Sequence, residues 1–181
     1  MNLRKFSAEE LLYIAVFAAL GLATKPIITP AVHLVSAPLM IPGGSLAGGF
    51  YMMWLVMARI VVNKFGSAFL TGLVQAIVIL SIGFFGSHGA VSLLSYTFPG
   101  LIIDVFAIFF KNKKNSVFAH TFLCSLANIS GAFIVTILVM RLPLLPLLIS
   151  LLAATISGII GGLVSFAIIK KMKKYDILRG T

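Results

Sequence analysis

The residues best suited to chemistry gather at a few places in a very apolar chain. Tyr51, Trp54 and Tyr96 offer aromatic walls, and His33, Ser87, His88, Ser92 and Ser95 offer donors and acceptors. Aromatic surface with a few polar groups is what a small-molecule pocket needs. Tyrosine and tryptophan also form ordinary interfacial belts, so each aromatic taken singly is ambiguous. Gln75 and Asn128 are carboxamides inside apolar runs, where polar groups are costly and serve either function or interhelical hydrogen bonding.

Other pairings support less. His120, Cys124 and Asn128 recur at steps of four, but a His–Cys pair supplies two metal ligands where zinc needs at least three from protein. Ser87 and His88 are adjacent, lack a nearby carboxylate to orient the imidazole, and do not read as a nucleophile and base. Asp104 is the one acidic residue deep in an apolar run, and Arg59 at comparable depth is its natural ion-pair partner. The sequence has no HExxH, GxSxG or P-loop motif, so it reads as neither enzyme nor ATPase, and no cofactor is expected.

The elements that must position these residues are membrane helices. The 181 residues are 60% hydrophobic with four acidic side chains and a mean hydropathy of +1.14. A soluble domain of this size could not hide that much apolar surface. A bilayer core about 30 Å thick takes about 20 apolar residues per helix. Six such runs predict an all-α membrane protein, a single bundle of six transmembrane helices over residues 8–28, 44–62, 67–85, 91–110, 116–140 and 146–169. Ser7 and Glu10 have the spacing of a capping box at the first start. Pro30, Pro38 and Pro42 predict a non-helical, apolar outer loop over residues 29–43.

Charge fixes the expected orientation. Arg4, Lys5, Arg59, Lys64, Lys111, Lys113, Lys114, Lys170, Lys171, Lys173, Lys174 and Arg179 fall on one side of this topology, and only Lys25 and Arg141 fall opposite. Short basic loops stay in the cytoplasm, so both termini are expected inside, in a prokaryotic inner or plasma membrane. The net charge of +10 flanks apolar helices, which suits anionic lipid headgroups rather than nucleic acid. The first apolar run lacks a small-residue cleavage site and reads as a retained span. Cys124, the one cysteine, has no intramolecular partner.

Small residues mark faces where helices approach closely: Ala15 and Ala19, Gly44 and Gly48, and Ala154, Gly158 and Gly162. Each face could pack within the chain or against a separate helix, and the alanine pair is placed for a partner.

Together these features resemble the substrate-binding S components of energy-coupling factor (ECF) vitamin transporters. The resemblance is carried by the basic six-helix layout, Ala15-x-x-x-Ala19, the long first outer loop and the Ile41-Pro42-Gly43-Gly44-Ser45-Leu46-Ala47-Gly48-Gly49-Phe50 stretch. Lys64-Phe65-Gly66-Ser67-Ala68 and Gly83 look most like the branch linked to thiamin and its hydroxymethylpyrimidine precursor. That branch often has acidic residues in helix 3, where this chain has Gly72 and Gln75. The resemblance implies a subunit that captures a vitamin-like solute at the outer face through His33, Tyr51, Trp54, Gln75, Ser87, His88, Ser92, Tyr96 and Asn128. It also implies docking through Ala15 and Ala19 onto a transmembrane coupling protein driven by two cytoplasmic ATPases. A self-sufficient secondary transporter or channel, and a membrane enzyme or scaffold, are the alternatives.

Overall fold

The computed structural model describes residues 6–38, 41–83, 89–111 and 113–175. All regular elements among them are helical: α1 (Ala8–Ser36), α2 (Gly43–Val62), α3 (Ser67–Ile82), α4 (Val91–Phe106) extended by a 3₁₀ turn (Ala107–Phe110), α5 (Val117–Leu138) and α6 (Leu144–Lys174). Five stretches are long and apolar enough to cross a membrane, counting α4 with its 3₁₀ turn, and α3 is a shorter apolar helix of 16 residues. At 1.5 Å per residue α3 covers about 24 Å, less than a typical hydrocarbon core.

The expected proline loop is largely absent. Helix α1 runs on through Pro26 and Pro30 to Ser36, leaving residues 37–42 as the connection to α2. Proline already holds a helix-compatible φ, and each one removes a single backbone donor. Membrane helices tolerate that loss because neighbouring helices and Ser/Thr side chains satisfy freed groups. Side chains on either side of Pro26 also tie this stretch to α2: Thr24 accepts from Trp54 at 2.9 Å, and Thr29 bonds Tyr51 at 2.7 Å. The start of α1 follows the sequence signal: Ser7 and Glu10 form a complete capping box.

Helix α2 sits centrally, with Leu55, Val56, Met57 and Ala58 almost wholly buried, and it packs on all five other helices. Glycines set the closest approaches. A Cβ on Gly49 or Gly161 would meet backbone across the α2–α6 contact, and one on Gly72 or Gly100 would meet backbone across α3–α4. The Ala154–Gly158–Gly162 face is spent inside the chain, where Gly158 and Gly162 lie against the backbone of Ser125 and Thr121 on α5. Ala15 and Ala19, by contrast, are exposed on α1.

Opposite charges join elements at the end of the bundle that carries the α2–α3 and α4–α5 turns. Glu10 of α1 pairs with Lys64 at 2.7 Å, and Arg59 of α2 pairs with Asp104 of α4 at 3.2 Å. The Asp104 carboxylate also accepts from the backbone N–H of Phe69 (2.9 Å) and Ala68 (3.3 Å). It thereby caps α3, whose own N-cap, Gly66, has no side chain to do so.

Candidate functional site

A cavity of about 280 Å³ opens at the other end of the bundle, between the last turns of α1, the first turns of α2 and α4, and the second half of α5. Ligand pockets run from roughly 300 Å³ upward, so this one suits a small organic molecule. Its α1 wall is Lys25, Thr29 and His33, residues at steps of four that share one helical face. That face exists because α1 continues through its prolines. Helix α2 contributes Gly43, Gly44, Ser45, Gly48, Tyr51 and Met52, and α4 contributes Ser95 and Tyr96. Helix α5 closes the far side with Asn128, Gly131, Ala132, Val135 and Thr136, an i, i+3, i+4, i+7, i+8 stripe.

Lys25 dominates the electrostatics. Its side chain is 6% exposed. Its Nζ donates to the Tyr96 hydroxyl and lies 4.1 Å from the Tyr96 ring centroid and 4.7 Å from that of Tyr51. Tyr51 is itself fixed by a 2.7 Å hydrogen bond with Thr29. Cation–π contacts contribute about 0.5–2 kcal/mol each, and a hydrogen bond to a charged group about 1.5–3 kcal/mol. Taking an ammonium out of water costs several kcal/mol. Two rings and one hydroxyl offset much of that cost but do not supply a counter-charge.

Asn128 joins the wall to the scaffold. Its Nδ2 donates to the carbonyls of Ser45 (3.1 Å) and Ala154 (2.8 Å), tying α5 to α2 and α6. Gly48 leaves the space that the carboxamide occupies, since a Cβ there would collide with Asn128 Oδ1. Ser45 also bonds Ser150 of α6 at 2.6 Å.

Of the residues expected to bind solute, the structure brings His33, Tyr51, Tyr96 and Asn128 to this wall. Trp54, Gln75 and Ser92 are not part of it. Trp54 donates to Thr24 at 2.9 Å, and Gln75 reaches the Ala18 carbonyl at 3.5 Å in a niche left by Gly21, so both lock α1 to its neighbours. Ser92 is buried near the start of α4. Ser87 and His88 lie outside the described residues. Of the two basic residues expected on the outer side, Lys25 is a wall residue, and Arg141 is exposed and is not. Thr29 and Thr136 were missed, although their spacing, four residues from Lys25 and eight from Asn128, was the available signal.

The His120–Cys124 face holds helices together. His120 Nδ1 shares a 2.8 Å hydrogen bond with Ser165, and Cys124 donates to the Gly49 carbonyl at 3.4 Å. No group of three or more His, Cys, Asp or Glu that could hold a metal ion occurs among the described residues.

Fold and site together define a polytopic helical membrane protein with a solute-sized cavity toward one end of its bundle. The same fold is found in a solved protein described as "Crystal structure of an S-component of ECF transporter", with a TM-score of 0.75 at 18% identity, covering 98% of this chain and 90% of that one. The family model "ABC-type cobalt transport system, permease component" matches residues 9–130, and the chain belongs to that family. No curated protein matches it in sequence.

Proposed function

We propose that this chain is the substrate-binding subunit of an ECF-type ABC importer. It captures a vitamin-like small molecule at the outer face, and separate coupling and ATPase subunits drive uptake. The observation that carries the reading is the cavity of about 280 Å³, lined by Lys25, Thr29, His33, Tyr51, Tyr96 and Asn128. The S-component fold and the transport family support it. The sided distribution of basic residues supports an orientation with both termini in the cytoplasm and the cavity at the outer face.

The family's description would make cobalt the cargo, but this wall suits an organic solute better. First-row divalent metals are held by several imidazole, thiolate or carboxylate donors. His33 is the one such group among the described wall residues, and it shares the cavity with an ammonium. Thiamin and hydroxymethylpyrimidine, which the resemblance suggests, are the first probes. A pyrimidine would meet two aromatic rings and several hydroxyls.

Docking is assigned to Ala15 and Ala19, a small-residue face exposed on α1. Native mass spectrometry of the purified protein tests the binding role. A single retained organic solute is the expected result. Protein that retains none, and binds neither probe in titration, would remove the basis of the reading. Uptake by proteoliposomes lacking ATPases would instead favour a secondary transporter.

A further inference from the structure

Lys25 is the one formally charged side chain among the described residues that line the cavity. A lysine that merely anchors a helix end snorkels, placing its ammonium in interfacial water. Lys25 does the opposite: it is 94% buried, with its Nζ enclosed between the Tyr51 and Tyr96 rings.

The described carboxylates are all committed elsewhere. Glu9 and Glu10 belong to the first turn of α1, where Glu9 accepts from Tyr13 and Glu10 pairs with Lys64, and Asp104 pairs with Arg59. The Tyr96 hydroxyl takes one of the three ammonium protons, and no other hydrogen bond from Nζ is formed among the described residues. Thr29 and His33 continue the same face of α1 along the wall. A desolvated cation beside an open cavity, with donors to spare and no counter-charge among the described residues, is a preformed half of an ion pair.

We infer that the solute bears an anionic group, a carboxylate or a phosphate, and that Lys25 is its counter-charge. This rests on reading the chain as a substrate-binding subunit and narrows the class of substrate. Among pyrimidine candidates, a phosphorylated form ranks above the neutral alcohol, and the thiamin cation ranks last.

The test uses the full chain in detergent micelles. Native mass spectrometry identifies the retained solute, and titration compares charge pairs of nearly equal shape: nicotinate against nicotinamide, and hydroxymethylpyrimidine phosphate against hydroxymethylpyrimidine. The retained solute is expected to carry a carboxylate or phosphate, and the anionic member of any pair that binds should bind more tightly. Lys25→Met should weaken the retained solute's binding by at least about 30-fold, the loss typical of truncating one partner of a buried charge pair. Lys25→Arg should retain part of it. The ligand-free Lys25→Met protein should melt no lower than the parent, because a desolvated charge has been removed. Should Lys25→Met not fold, Lys25→Gln and the charge-pair comparison on the unaltered protein carry the same test. A retained solute that is neutral or cationic, or one that Lys25→Met binds as tightly as the parent, overturns the inference and leaves the binding role standing. A protein that binds no organic solute overturns both.

Discussion

Asn128 shows how one polar side chain in an apolar bundle can tie helices together and line a cavity at once. Its two N–H donors are committed to carbonyls on α2 and α6, while the residue still faces the cavity. Interhelical hydrogen bonds in membranes average about 0.6 kcal/mol, so Asn128→Ala should cost about 1 kcal/mol in reversible unfolding. Gly48→Ala should cost about 1–3 kcal/mol, the usual range for overpacking, because the new Cβ falls on the carboxamide. The two losses should not add. With Asn128 already truncated the methyl has room, and the double variant should recover about 1 kcal/mol of the sum. Strict additivity would mean that the two side chains do not share that space. Asn128, Tyr51, Tyr96 and His33, which line the cavity, stood out in the sequence because aromatic and polar residues contrast with an apolar background. Trp54 and Gln75 stood out equally, yet they bridge helices. Residue type reveals that a polar group in lipid needs a partner, but not whether the partner is a helix or a solute.

Elements were legible where apolar length and capping agree, as at the Ser7–Glu10 start of α1. They were not legible where a soluble-protein rule meets a membrane helix. Pro30 read as part of a loop, although a lipid environment favours keeping backbone bonds within a helix. The cost of that reading was the Lys25–Thr29–His33 face, which only a continuous α1 creates. Helix α3 shows a second limit. Its N-terminal amides are capped from α4 by Asp104, a tertiary arrangement that no local motif announces. Asp104→Asn should leave Arg59 buried without its counter-charge, at a cost of about 3–5 kcal/mol. Replacing both, Arg59→Met with Asp104→Leu, should restore most of that loss. The remainder should be about 1 kcal/mol, because the cap on α3 is still gone. Thermal unfolding of the purified variants measures both quantities. If Asp104→Asn unfolds like the parent but solute uptake ceases, the carboxylate carries a proton-coupling role and not a structural one.

At the scale of the whole molecule, small residues divide into two groups with different fates. Those on α6 are buried against α2 and α5, where backbone contact leaves no room for a side chain. Ala15 and Ala19 lie on a flank of α1 that the described residues leave exposed, beside the exposed Leu11, Leu12 and Val16. Lipid alone does not require alanine there, since larger apolar side chains would be equally soluble in the bilayer. A close-approaching helix does require it. The cavity is built from the other half of α1, so the docking proposed for Ala15 and Ala19 and the proposed solute capture would use separate stretches of one helix. Ala15→Leu with Ala19→Leu should therefore leave solute affinity within about twofold, because neither residue touches the wall. Uptake reconstituted with a coupling protein and its ATPases should fall at least about tenfold, since two leucines would hold the partner helix away. Equilibrium binding in detergent and ATP-dependent uptake in proteoliposomes separate these effects. Undiminished uptake would move the docking face elsewhere on the bundle. Lost binding would show that the two halves of α1 are mechanically one unit, with the alanine face setting the position of Lys25.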